Sequence, residues 1–214
     1  DHQIRLVVGT LREEGLVDNT IIAFTSDHGD MLGNHGLFAK AVFYEDSARI
    51  PLILVPQADR GERGGYNVDD RLAAQADIFP TLLDLSGIPV PDTVEGLSLV
   101  GQERHEYICG EHWEDERATR MIRKSQHKLI YYPVGNRTQL FDLAKDRHEM
   151  HDLSEDSAYA EVRRELTDLL VGRLYGSDLK WVKDRKLVGL PEIEGPSTPP
   201  GNRGLNNQRG WRFK

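Results

Sequence analysis

Cysteine is nearly absent from this chain. The single residue, Cys109, excludes an internal disulfide and leaves the redox compartment open. No apolar run approaches the length that crosses a bilayer, so no membrane-spanning helix is expected. Basic residues are outnumbered: 27 Lys and Arg against 35 Asp and Glu give a net charge of −8. That balance argues against a general nucleic-acid binder, which would show a basic face. A small anionic substrate stays compatible with it, because a few local cations and a metal can override the global sign. Hydrophobic residues make up 38% of 214, low for a compact globule, which fits one large domain or one and a half smaller ones.

What is present is concentrated in one stretch. Thr25-Ser26-Asp27-His28-Gly29-Asp30 follows a hydrophobic run and leads into Gly33-Asn34-His35-Gly36-Leu37-Phe38-Ala39-Lys40. A carboxylate and an imidazole stand side by side at the end of a strand, and a lysine follows thirteen residues after the carboxylate. Metal-ligand types joined to a cation by a glycine-bent loop point to a metal-assisted oxyanion site acting on a sulfate or phosphate ester. Side chains of strand neighbours point to opposite faces, so Asp27 and His28 reach one ion only if the chain turns there, and Gly29 permits that turn. Asp27 offers the hard oxygen that Ca²⁺ prefers. The nitrogen of His28 leans toward Mn²⁺ or Zn²⁺. The chain offers no nucleophile suited to this chemistry.

The pattern along the chain predicts an α/β fold. Ile4, Val7, Val8 and Leu11 recur at helical spacing, so the chain is expected to open inside a helix ending at Gly15, as a truncated piece would. Residues 20–25 and 50–55 are continuously apolar, which predicts parallel strands buried on both faces, with a helical turn within 42–49 between them. Residues 57–70 read as an exposed loop. A helix over 72–85 is expected, capped at Asp77, with Pro80 in its first turn and Ile78, Phe79, Leu82, Leu83 and Leu85 on its apolar face. From about His105 the pattern changes to four short antiparallel strands near 106–110, 119–123, 127–132 and 139–143, then an amphipathic helix over 158–174. The expected division is 1–100 for an incomplete α/β core, 101–188 for a small α+β subdomain and 189–214 for an irregular tail.

These residues resemble the sulfatase family of the alkaline-phosphatase-like superfamily, in its C-terminal half. The resemblance rests on Phe24 to Lys40, Tyr44-Glu45-Asp46-Ser47-Ala48-Arg49-Ile50-Pro51, Asp77-Ile78-Phe79-Pro80-Thr81, Glu95-Gly96-Leu97-Ser98-Leu99 and the late phrase Leu140-Phe141-Asp142-Leu143 to Leu153, in family order. It implies the C-terminal part of an α/β/α sandwich followed by a small subdomain with a short antiparallel sheet and a long helix. It also implies that Asp27 and His28 ligate a divalent metal, Ca²⁺ by analogy with Mn²⁺ or Zn²⁺ as alternatives, and that Lys40 is catalytic and binds the sulfate. The family's nucleophile is a formylglycine made in a Cys/Ser-X-Pro/Ala-X-Arg motif. Cys109 is followed by Gly110-Glu111-His112-Trp113 and does not match it. The resemblance therefore places the formylglycine in an N-terminal half outside this chain, which would act as a partner of the residues here.

Several assignments stay open at this point. His35 either touches substrate or braces the loop, and Asp30 is expected to stabilise it. Arg49 is expected to pair with Glu45. His112 and Trp113 either set specificity or serve as a surface histidine and a packing tryptophan, the second being favoured. Cys109 is expected to be a small buried hydrophobe. The basic run Arg120–Lys128 either forms a solvated strand surface, the reading favoured, or lines a cleft for an anionic substrate. The substrate expected is a sulfated small molecule or sugar, with phosphonate or phosphodiester hydrolysis and a non-catalytic binding or assembly module as alternatives. Incomplete sheet pairing also raises the prospect of a homo-oligomer, and localisation stays open.

Overall fold

A computed structural model describes residues 1–58 and 67–192. Most of the loop expected at 57–70 and most of the tail expected at 189–214 lie outside those residues. The chain divides into two compact units, each discontinuous in sequence: Asp1–Asp27 with Pro51–His105, and His28–Ile50 with the chain from Glu106 onward.

The first unit opens with helix α1, His2–Glu13. It ends as its sequence predicts: Gly15 takes a left-handed φ of +69°, and Gly15 and Leu16 donate to the carbonyls of Arg12 and Leu11, closing a Schellman motif. None of the helix's residues is buried. Strand β1, Ile22–Thr25, pairs with β2, Leu52–Val55, in register Ile22 to Val55 and Thr25 to Leu52. The pair is antiparallel and Phe24, Ile53 and Val55 are exposed, which corrects the expectation of parallel strands buried on both faces. Continuous apolarity reports what a strand could bury; it does not fix strand direction. The connection between the strands holds a single 3₁₀ turn at Asn34–Gly36 and a four-residue helix, α2 (Glu45–Ala48), rather than the long crossover helix usual for parallel pairing.

Helix α3, Ile78–Leu85, starts after Asp77 and carries Pro80 in its first turn, as expected. Its buried side differs from the predicted apolar stripe: Pro80, Thr81 and Leu85 are buried while Phe79 is 55% exposed. Two polar side chains decide this. Asp77, fully buried, accepts hydrogen bonds from the backbone N–H groups of Ala74 and Leu97, each at 2.8 Å, and lies 2.8 Å from His105 Nε2. Thr81 Oγ1 donates to the Asp77 carbonyl and accepts from the Leu99 N–H at 2.9 Å. Gly96 lies so close to the Ala76 carbonyl that a Cβ would collide with it. The Asp77–Thr81 and Glu95–Leu99 motifs are thus two halves of one backbone-pinning arrangement.

The second unit is built on a meander of β3 (Ile108–His112), β4 (Thr119–Lys124), β5 (His127–Tyr132) and β6 (Arg137–Asp142), in that spatial order and antiparallel throughout. These are the four strands expected. Period-two alternation sends Ile122, Leu129, Tyr131 and Leu140 to one face, where Leu166, Leu170 and Leu174, contributed by and just after helix α4 (Ala160–Arg173), join Trp181 to close a core. Met121, Ile130, Tyr132 and Phe141 go to the other face, against Met31, Leu37, Val42 and Tyr44 of the 28–50 loop. A sheet covered on both faces leaves no room for a solvated basic run, and that expectation is corrected. Arg120 and Lys128 are both buried, on opposite faces, each with a carboxylate partner. A short hairpin, β7 (Val182–Lys183) with β8 (Lys186–Leu187), follows.

Asp77→Ala is expected to lower stability by at least about 2 kcal/mol, because two buried N–H groups lose their acceptor. Asp84→Ala, which removes only the exposed contact with Ser98 Oγ, should cost under about 0.5 kcal/mol. Urea denaturation of both variants checks the contrast.

Candidate active site

Of the predicted site residues, Asp27 and His28 follow directly on the end of β1 in sequence, and His35 and Lys40 lie further along the loop. In the first unit, the carbonyls of Ser26 and Asp27 both accept from Gln75 Nε2, at 3.2 and 2.7 Å, which fixes the backbone at the strand's carboxyl end. The Asp27 carboxylate is exposed, with Ser26 Oγ 3.4 Å from Oδ1. In the second unit, His28 Nδ1 sits 2.7 Å from the Gly29 carbonyl. A carbonyl only accepts, so Nδ1 carries the proton and Nε2 is the basic nitrogen, the form in which imidazole ligates a metal. Gly29 donates to the Ser47 carbonyl at 2.8 Å, and a Cβ on it would strike the Asp46 carbonyl oxygen. The glycine is required by close backbone approach; its φ is not left-handed.

Beyond Gly29 the loop is unusually strained. Leu32, His35, Ala39 and Ala41 all adopt left-handed φ between +48° and +77°, and Gly33 and Gly36 are also at positive φ, +99° and +68°. Non-glycine residues there cost on the order of 1–2 kcal/mol each, and such strain gathers at functional sites. The loop is held by its own hydrogen bonds, Met31 N–H to the Ala39 carbonyl (2.7 Å) and Gly33 N–H to the Leu37 carbonyl (2.8 Å), and by burial of Met31, Leu37 and Val42. Asp30 accepts from the Leu32 N–H at 2.9 Å, in the stabilising role expected of it. The ring of His35 stacks on Tyr44, with centroids 4.1 Å apart and planes 7° from parallel, while its Nε2 donates to the His148 carbonyl at 2.8 Å. In this geometry His35 braces the loop.

Lys40 lies between the two left-handed alanines. It is exposed, and among the described residues its ammonium makes no ion pair or hydrogen bond. Glu45 does not take Arg49 as its side-chain partner. Its carboxylate is 2.8 Å from Lys128 Nζ and 3.5 Å from Arg123, because the buried lysine has the stronger need of a counter-charge.

Were Asp27 and His28 to ligate a metal, they would supply only one oxygen and one nitrogen donor. Among the described residues there is no group of three His, Cys, Asp or Glu able to hold an ion. Ca²⁺ takes about six to eight oxygens and Zn²⁺ about four ligands, so two such donors would make up only part of a ligand set.

A cavity of about 700 Å³ in the second unit is lined by Glu111, His112, Trp113, Arg120, Tyr175 and Asp178, among others. Here the favoured assignment of a packing tryptophan and a surface histidine is reversed. Trp113 is 52% exposed at φ +54°, and His112 is half-buried, its pKa lowered by burial and by the Arg120 charge. Arg120 forks onto Asp178 at 2.7 and 3.0 Å and donates to the Trp113 carbonyl at 2.9 Å, which holds that strained residue in place. Burial raises the Asp178 pKa, with the Arg120 pair opposing it. Cys109 is partly buried against the α4-side core, and burial raises its thiol pKa.

Comparison with known proteins gives the family. The family described as N-sulphoglucosamine sulphohydrolase, C-terminal, matches residues 33–174, well over half of the chain. The chain belongs to the sulfatase family. Within it, an arylsulfatase of Clostridium perfringens is 38% identical over 200 residues, covering 89% of this chain and 41% of the relative. This chain therefore spans about two-fifths of that relative's length. A solved putative sulfatase from Bacteroides thetaiotaomicron superposes with a TM-score of 0.74 at 29% identity, over 91% of this chain and 46% of the other. A phosphonate monoester hydrolase of Agrobacterium radiobacter gives 0.70 at 27%, over 88% and 42%. The α/β fold of this sulfatase chain is thus of the alkaline-phosphatase-like kind.

Glu149 and Asp178, and the buried pairing of Lys128 and Arg120 with them, escaped the sequence reading. The one available signal was that Glu149 falls within the late motif. Gly29→Ala is expected to destabilise the sulfatase chain by about 1–3 kcal/mol, since the obstructing atom is backbone. Gly172→Ala, inside α4 with nothing within 4 Å of the new methyl, should instead stabilise by up to about 1 kcal/mol. Thermal denaturation of the pair separates a packing requirement from general intolerance of alanine.

Proposed function

We propose that this chain contributes part of the active site of an enzyme hydrolysing the sulfate monoester of a small molecule or sugar. The observation that carries the reading is Lys40, an exposed cation without a partner among the described residues, on a strained loop that follows Asp27-His28. A lysine left unpaired in so costly a backbone is suited to meeting an anion from outside.

Asp27 and His28 would hold a divalent cation, Ca²⁺ by family analogy, together with ligands from outside the described residues. Such an ion, when bound, draws charge from the sulfate oxygens as a Lewis acid. Lys40 binds the sulfate and donates to the bridging oxygen as negative charge develops on the leaving group. His35 keeps the loop in shape through Tyr44 and the His148 carbonyl. The nucleophile, a formylglycine in this family, comes from sequence beyond this chain, and the chain alone is therefore inactive. Phosphonate monoester hydrolysis is the second reading, favoured by the likeness to the Agrobacterium radiobacter enzyme.

In the full enzyme, Lys40→Ala is expected to lower kcat for an aryl sulfate about 100-fold or more. Stability should change by less than about 0.5 kcal/mol, because the side chain is exposed. Chelation should abolish turnover, and Ca²⁺ should restore it better than Mn²⁺ or Zn²⁺. Preference for a phenyl phosphonate over the aryl sulfate would hand the reaction to the second reading. An enzyme indifferent to both esters and to chelation would leave a non-catalytic module.

A further inference from the structure

The loop that carries Lys40 returns to β2 through Phe43, Tyr44 and Glu45, and those residues meet a charge cluster on one face of the small sheet. At its centre is Lys128 on β5, whose side chain is 1% exposed. Its Nζ donates to the Phe43 carbonyl at 2.7 Å and to Glu45 Oε1 at 2.8 Å, and lies 2.6 Å from Glu149 Oε1. Glu149, also 1% exposed, uses its other oxygen to accept the Glu45 N–H at 2.6 Å, at the start of α2. The preceding carbonyl, of His148, is the one that takes the His35 ring nitrogen. Arg123 supplies the remaining facing charge, 3.5 Å from Glu45. Two consecutive residues of the late motif therefore grip the loop at two points, and Lys128 grips it at two more.

Such a cluster is a poor source of stability, because desolvating the ions offsets most of their attraction, and an apolar pair of similar volume often does as well. What buried charge enforces is register. If the loop slides by one residue, the Lys128 ammonium loses the Phe43 carbonyl and the Glu45 carboxylate, and an unpaired buried cation is costly. Lys40 lies three residues before Phe43, on the same strained segment.

We propose that Lys128 and Glu149 are positioning residues that lock the register of the loop presenting Lys40, so that their loss is read in kcat rather than in KM. The catalytic half of this inference rests on the sulfatase reading above; the loop half does not. Burial raises the Glu149 pKa, with Lys128 opposing the shift, and Glu149→Gln imitates the protonated carboxyl without its charge.

The test uses the full enzyme with Lys128→Met, Glu149→Gln and the double variant Lys128→Met/Glu149→Met. Both single variants should lower kcat for an aryl sulfate at least tenfold with KM within threefold, and should speed hydrogen exchange at the Met31 and Gly33 amides. The double variant is the decisive one: its apolar pair should bring the melting temperature back toward the parent, while kcat stays at least tenfold low and the loop amides stay fast. Recovery of kcat together with stability would reduce the cluster to ordinary packing and overturn the proposal. So would parental exchange rates at Met31 and Gly33 in all three variants. If the parent cleaves no sulfate ester but the variants loosen those amides, the loop lock stands and the sulfatase reading falls.

Discussion

An ammonium group with 1% of its side chain exposed has to be surrounded by acceptors, and Lys128 draws them from two distant stretches of sequence. The Phe43 carbonyl and the Glu45 carboxylate come from the motif loop, and Glu149 comes from the segment after β6. The requirement fixes how residues 28–50 lie on the small sheet, and it does so with directional groups where apolar packing alone would tolerate sliding. Met31, Leu37, Val42 and Tyr44 then bury against Met121, Ile130, Tyr132 and Phe141 in one arrangement. Around that arrangement, His35 finds both a stacking partner and an acceptor.

The opposite face of the sheet solves the same problem differently. Arg120 is buried beside Trp181, 5.1 Å from its ring, and forks onto Asp178. Its remaining nitrogen holds the backbone carbonyls of His112, at the end of β3, and of the left-handed Trp113. One strand face thus uses a lysine as a point charge gathering three oxygens, and the other uses the planar fork of an arginine. Both cations orient loops, and both stand at the margins of a core made of ordinary aliphatic and aromatic alternation.

Much of this was legible in the sequence, and the reasons for success and failure are physical. Period-two alternation gave the four strands of the meander, and helical spacing gave α4 and its Leu166 and Leu170 contacts. Gly15 announced the end of α1. Strand direction in β1 and β2 was not legible, because continuous apolarity measures hydrophobicity and carries no sign. The run from Arg120 to Lys128 looked solvated because charge normally means exposure; only the layer on each side of the sheet shows that both end residues are buried. The α3 face was misjudged for the complementary reason, since Asp77 and Thr81 are polar residues buried to satisfy backbone groups of a segment some twenty residues away. Of the site, the residue types were evident but the strain was not. No local pattern announces Leu32, Ala39 or Ala41 at left-handed φ.

That strain links the fold to the chemistry. A loop with four left-handed non-glycine residues is intrinsically unfavourable by several kcal/mol, on the order of 1–2 for each. It persists only where its surroundings over-determine it. Burial of Met31, Leu37 and Val42 supplies part of the compensation, and the Lys128–Glu45–Glu149 cluster supplies the direction. Held in this geometry, the Lys40 ammonium makes no ion pair or hydrogen bond among the described residues, as the proposed anion-binding role requires. The stability spent on the loop and the availability of that one cation are two aspects of the same constraint.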